Sequence, residues 1–173
     1  MAKVIDLSVP IRSGMPVYPG DPDVEVQVVH TVESHGWELR RVTLGTHTGT
    51  HVDAFSHMHK GAPALDAIPL ERFFGKAQVV RPDGKWPRDR GLFFKEEIGM
   101  EVFARLKEFR PPFVGGELTE ALERELLGAG ILTYTSLVHL DLIPEETDFT
   151  FYGFPLPIEG GDGSPVRAVA VLE

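Results

Sequence analysis

Four of the chain's seven histidines and one aspartate fall within thirteen residues, His47-Thr48-Gly49-Thr50-His51-Val52-Asp53 followed by His57 and His59. Neutral imidazole and carboxylate are the donors a borderline divalent ion takes, and histidine is the side chain that exchanges protons near neutral pH. The stretch reads as a metal site with a base beside it. Cysteine is absent, which removes disulfides, thiol nucleophiles and thiolate ligands and leaves only nitrogen and oxygen donors.

Spacing constrains how the backbone must run. Fully extended, positions 47, 51, 53 and 57 share one face but spread over about 33 Å at roughly 3.3 Å per residue, too far for one ion. On a helix, 47 and 51 would share a face while Asp53 pointed about 240° away, so a helical HExxH-type arrangement is not written here. The chain must fold back on itself, and Gly45 and Gly49 are the residues expected to bend it. His30, in an alternating strand pattern, and His35, in a turn, read as structural or solvated residues. His59 reads as an outer group that supports the ligands.

The motif His-Thr-Gly-Thr-His-x-Asp-x-x-x-His resembles the cyclase-like metal-dependent hydrolases, which include bacterial arylformamidases acting on N-formylkynurenine. Pro16-Val17-Tyr18-Pro19-Gly20-Asp21-Pro22 is similar to that family's N-terminal Pro-x-Trp-Pro-Gly-Asp segment, and Gly163-Ser164-Pro165-Val166-Arg167-Ala168 to its C-terminal signature. The region around 81 to 116 is shorter than the family pattern. The resemblance implies a swivelling β/β/α fold and a homo-oligomer. It also implies metal ligation by His47, His51 and Asp53, with Asp53 able to bridge to a second ion, and His57 as general acid/base. Where the family completes the second ion with His and Glu, this chain has Glu123 and Thr135; His139 stands for Asn and Phe55 for Pro. One Zn or Mn ion per chain is therefore expected rather than two.

At 173 residues the chain is expected to form one domain, 1–173, able to bury about 70% of its unfolded surface. The net charge is 17 − 26 = −9, with no basic stripe carrying interleaved aromatics, which argues against nucleic acid and anionic membrane as partners. The N-terminus lacks a basic region followed by an apolar run, and no stretch is long enough for a membrane span, so a cytoplasmic protein is expected. Asn is absent, Gln occurs only at 27 and 78, and Pro occurs fourteen times, a composition found in heat-adapted proteins.

Alternation of Val24, Val26, Val28, His30 and Val32 predicts a half-buried strand, Glu33 to Gly36 a turn, and 37–44 a second strand, so a hairpin delivers the chain to the motif. Further strands are expected at 76–80 and 91–94, with Pro82-Asp83-Gly84 as a turn. Helices are expected at 95–109, with Ile98, Val102, Leu106 and Phe109 on one face, and at 119–127, stopped by Gly128. Strands are expected again at 131–143, 149–158 and 165–172. This order indicates a mixed-sheet α/β domain with flanking helices rather than a βαβ repeat.

Gly160-Gly161-Asp162-Gly163 lacks the Lys-Ser/Thr ending of a phosphate loop and reads as a tight hairpin turn. Glu96-Glu97 and Glu145-Glu146 read as solvated surface, and Ser56 as a neighbour of His57 facing away from it. Trp37, Phe55, Phe73 and Phe74 could line an aromatic pocket or simply belong to the core.

The reaction class indicated is hydrolysis of a small amide, formamide or lactam-like bond by metal-activated water, with His57 moving the proton. The alternative is a family member without catalysis that binds a small molecule or serves in an assembly. Keeping a base beside the ligands favours the enzyme, because a purely structural ion needs none.

Overall fold

Three short buried runs, Gly91–Phe93, Phe113–Gly115 and Leu132–Thr135, build the centre of the fold as adjacent parallel strands. The computed structural model describes residues 2–173, Met1 lying outside them. In chain order the strands are β1 (Lys3–Asp6), β2 (Glu25–His30), β3 (Leu39–Thr43), β4 (His51–Asp53), β5 (Phe74–Val79), β6 (Gly91–Phe93), β7 (Phe113–Gly115), β8 (Leu132–Thr135), β9 (Phe149–Tyr152), β10 (Gly163–Pro165) and β11 (Val169–Leu172). The helices are α1 (Val32–His35), α2 (Phe103–Phe109) and α3 (Glu120–Gly128). The main sheet is mixed and runs β1-β11-β9-β5-β6-β7-β8-β4-β10, while β2 and β3 pair separately. The expected mixed-sheet α/β class is the one found.

Alternation splits the core between two faces. Leu92, Phe94 and Val114 pack against Val102 and Leu106, at and just before α2, and against Leu122 and Leu126 of α3. Phe93, Phe113, Leu132 and Tyr134 point the other way, into a cluster with Phe149 and Phe151. Four strand positions separate β8 from β9 in the sheet order, yet the Tyr134 and Phe151 rings lie 4.8 Å apart and the Tyr134 hydroxyl donates to Gly153 O at 2.9 Å. The sheet is therefore curled around its aromatic face.

Contrary to the expected absence of βαβ units, β6-α2-β7-α3-β8 contains two such crossovers. Their strands are three or four residues long and buried on both faces, so no alternation advertises them. The first helix starts later than expected, at Phe103 after a 3₁₀ turn at Met100–Val102. Ile98 is extended there, its N–H donating to Glu117 O while Thr119 N–H donates to Ile98 O, which withholds those groups from a helix. α3 begins as expected, capped by Thr119, but continues through Gly128 and ends where Gly130 takes φ +75.

Strand 131–143 stops at Thr135, because Ser136 (φ 53) and His139 (φ 60) turn the chain. The span 149–158 is a strand only to Tyr152, and 165–172 is divided between β10 and β11.

The hairpin forms where expected, with Val26 opposite Val42, but it is not half-buried: every residue of β3 is exposed, as are Val28, Val29, Val32 and Trp37. Its alternation anticipates a covering surface that the chain itself does not provide. Of the four aromatics considered for a pocket, Phe73 is fully buried, Phe55 packs on the core, Phe74 stacks on Tyr152, and Trp37 stands exposed beside His30 and His35. No described helix is long and apolar enough to cross a membrane.

Because Phe151 contacts Phe93, Phe113 and Tyr134 across the curl, Phe151→Ala is expected to lower the unfolding free energy by about 3–5 kcal/mol. Denaturant titration checks this, and a loss under about 1 kcal/mol would mean that the ring does not hold the curl closed.

Candidate active site

The chain approaches the cluster through a loop reversed at Gly49, whose φ of +61 is unfavourable for any residue with a Cβ. Gly45, the other expected bend, keeps a negative or extended φ. The Thr50 hydroxyl donates to Ser136 O at 2.6 Å and accepts from Val9 N–H at 2.9 Å, pinning the loop from both sides. In β4 that follows, Val52 turns into the aromatic core, so His51 and Asp53 face the α3 side. Register sets Thr135 and Pro165 opposite His51, and Thr133 and Gly163 opposite Asp53. A 3₁₀ turn at Phe55–His57 then brings the His57 ring back to within 3.8 Å of the His47 ring, centroid to centroid.

Three donor atoms converge. His47 Nδ1 lies 2.7 Å and His51 Nε2 3.4 Å from Asp53 Oδ1. The atoms facing away are all engaged: His51 Nδ1 with Gly49 O at 2.6 Å, His47 Nε2 with Asp162 Oδ2 at 3.0 Å, and Asp53 Oδ2 with the Thr133 hydroxyl at 2.8 Å. Such outer contacts decide which nitrogen of each imidazole is left free, Nδ1 of His47 and Nε2 of His51. A divalent ion fits the chemistry of this donor set, two imidazole nitrogens and a carboxylate oxygen within 4.8 Å of one another.

Asp162 was not anticipated. It lies 115 residues after His47 in a segment expected to be a hairpin turn, but β10 pairs with β4, not β9, so Gly160 to Gly163 forms one wall of the site. Gly163 is required there, because a Cβ would lie 2.4 Å from His47 Cε1. Asp162 Oδ2 also lies 3.6 Å from His57 Nδ1. Only the glycines around it, unusual beside a strand, could have drawn attention to this stretch.

Of the four departures from the family pattern, the two at the second-ion positions, Glu123 and Thr135, face the site. Glu123 faces Asp53 and Thr133 from α3, the Thr133 hydroxyl donates to Asp53 Oδ2, and the Thr135 hydroxyl lies 3.1 Å from His51 Nε2. His59 is an anchor: its Nε2 lies 2.7 Å from Arg124 O, seating α3 against the motif loop. His30 and His35 stack on each other at 4.2 Å on the hairpin, away from the cluster, and His139 Nδ1 bonds Asp6 O. Arg167 of the C-terminal signature forms a bidentate pair with Asp6 and so ties down β1.

Electrostatics follow the contacts. Burial works against a charged His47, but carboxylates of Asp53 and Asp162 on its two nitrogens outweigh it and raise its pKa to about 9. Burial would raise Asp53, yet the His47 hydrogen bond and the His51 charge hold it below the usual carboxylate range. His57 is lowered, first by burial and then by the His47 charge, and so tends to stay neutral and able to accept a proton. Burial and the Asp53 charge push Glu123 up to about 9.

A family model for cyclases matches residues 5–122. The chain belongs to the Cyclase family. It is 28% identical to a kynurenine formamidase of Salinibacter ruber, covering 96% of both chains, and 34% identical to that of Maricaulis maris over half of this chain and 42% of the other. Isatin hydrolase A from Labrenzia aggregata shares the fold, with a TM-score of 0.85 at 21% identity over 99% of this chain and 94% of that one. A predicted metal-dependent hydrolase from Bacillus stearothermophilus superposes over the whole of both chains with a TM-score of 0.74 at 21% identity. The relatives are thus hydrolytic enzymes.

A cation entering this cluster must displace the proton that Asp53 and Asp162 hold on His47. Apparent metal affinity is therefore expected to rise about tenfold per unit between about pH 6 and 8, where His47 would otherwise be charged. Competition titration against a chromophoric chelator measures this. An affinity flat over that range would show that no proton leaves His47 when the ion binds, and would reject the displacement.

Proposed function

We propose that residues 1–173 act as one domain, a metal-dependent hydrolase of a small amide, formamide or lactam-like bond. The observation that carries this reading is the convergence of His47 Nδ1, His51 Nε2 and Asp53 Oδ1 with the His57 ring lying 3.8 Å from that of His47. The names of the relatives, formamidase and isatin hydrolase, support the substrate class. His47, His51 and Asp53 are the proposed ligands of one Zn or Mn ion, which would supply a Lewis acid for the carbonyl and make water acidic enough to attack. His57, neutral and half-buried, takes the proton from the attacking water and returns it to the leaving amine.

A single ion is proposed because the outer side of Asp53 already carries Thr133 and Glu123, and Thr135 offers a neutral hydroxyl where a second dication would need charge. Self-association is proposed through the hairpin. Val26, Val28 and Val42 share one of its faces, Trp37 and Leu39 lie exposed at its far end, and a two-stranded sheet alone in water is marginal. A second copy of the same face supplies the cover that the alternation anticipates. The cytoplasmic assignment stays with this reading as an expectation from the sequence.

The purified protein should hold close to one Zn²⁺ or Mn²⁺ per chain by elemental analysis, and His51→Ala should lose it. His57→Ala should keep the ion while turnover of formylated arylamines and cyclic amides falls by about 10²- to 10⁴-fold, the usual share of acid/base catalysis. Loss of the ion from His57→Ala would make that residue a ligand, and no turnover by the loaded parent would sink the hydrolase reading. Light scattering should find a dimer or larger for the parent and a monomer for the double variant Val28→Glu with Val42→Glu. A monomeric parent would reject the hairpin as the interface.

A further inference from the structure

We propose that Asp162 is the positioning residue of this site, its one carboxylate orienting both the proposed ligand His47 and the proposed base His57. The inference rests on the reading of His47 as a ligand. Asp162 Oδ1 accepts from the Thr46 hydroxyl at 2.9 Å, which fixes the plane of the carboxylate and turns Oδ2 to His47 Nε2 at 3.0 Å and toward His57 Nδ1 at 3.6 Å. A proton on His47 Nε2 leaves Nδ1 as the free donor beside Asp53. A proton on His57 Nδ1, drawn toward the same oxygen, leaves Nε2 as the nitrogen that exchanges protons with substrate.

His47, His57 and Asp162 could also be taken as a second cation site, since their donor atoms lie within 4.8 Å of one another. That assignment conflicts with the first cluster. His47 would have to ligate through Nδ1 and Nε2 at once, which requires losing both ring protons. Asp162 is better matched to the outer carboxylate that fixes a ligand's tautomer.

The backbone around Asp162 is held as tightly as a positioning role requires. Ala54 N–H donates to Asp162 O at 2.8 Å, Leu65 N–H to Gly161 O at 2.9 Å, and Gly160 N–H to Asp66 Oδ2 at 3.1 Å. Gly163, paired with Asp53, leaves the space that the His47 ring occupies. Asp162 thus immediately precedes the strand that pairs with the ligand strand, and that pairing sets its place relative to the ligands.

The test compares the parent with Asp162→Ala and Asp162→Asn. Zn²⁺ affinity is measured by competition titration, and long-range proton–nitrogen imidazole spectra of the Zn²⁺-loaded proteins report which nitrogen of His47 is ligated. In the parent, Nδ1 should be ligated and Nε2 protonated. Asp162→Ala should weaken Zn²⁺ binding by about 10- to 100-fold and mix the two ring orientations, with turnover falling in kcat rather than KM. Asp162→Asn, whose amide oxygen still accepts from Nε2–H, should keep the parent's ring orientation and lose less affinity. Should Asp162→Ala fail to fold, Asp162→Asn and Thr46→Val carry the comparison. Unchanged affinity and unchanged His47 ligation in folded Asp162→Ala overturn the proposal while leaving the hydrolase reading intact. A parent that binds no Zn²⁺ overturns both.

Discussion

A carboxylate only 1% exposed, Asp53, sits in the sheet with strands on both sides, and most of the surrounding structure is a consequence of putting it there. An isolated buried carboxylate costs several kcal/mol even after relaxation, so it persists only with partners. Histidines 47 and 51, Thr133 and Glu123 supply them from four different segments. This need also fixes register. Sliding β4 by one residue against β8 would turn Asp53 toward Phe113, Tyr134 and Phe151 and bring Val52 out to the polar side. The aromatic curl and the charged site therefore enforce one another through alternate residues of one three-residue strand.

Glu123 illustrates the same constraint from outside. Two carboxyl groups in contact and away from water do not both ionise readily, and with Asp53 held low by two histidines, the proton falls to Glu123. α3 thus presents a neutral donor to Asp53 near neutral pH, and His59 holds the helix in place through Arg124 O. The helix thus adds one more partner to the buried carboxylate, beside the histidines on Oδ1 and Thr133 on Oδ2.

What was legible in the sequence was local. The crowding of His47, His51 and Asp53 required a folded-back chain, and Gly49 turns it; Thr119 marked the start of α3; the valine alternation marked the hairpin. What escaped depended on distant partners. β7 has three residues and no period, α2 starts late because residues 117–119 claim the backbone of Ile98, and Asp162 is assigned to the site by β10 pairing with β4. The hairpin differs in the opposite sense: its pattern signals an apolar face, but a pattern does not say whether the covering surface belongs to the same chain.

Charge balance connects these details. On the proposed one-ion reading, with Glu123 protonated, the carboxylates of Asp53 and Asp162 carry two negative charges, which match one dication. A second dication beside Asp53 Oδ2 would meet the neutral Thr133 hydroxyl, with the equally neutral Thr135 hydroxyl on His51 next to it, and could recover charge only by stripping the proton from Glu123. Even then three negative charges would face four positive ones in a partly desolvated site, where uncompensated charge is expensive. On that reading the acid at 123 and the hydroxyl at 135 belong together. A carboxyl at 123 that shares its proton with Asp53 makes sense beside a neutral hydroxyl at 135, because a second carboxylate there would add a further buried negative charge with no cation to balance it.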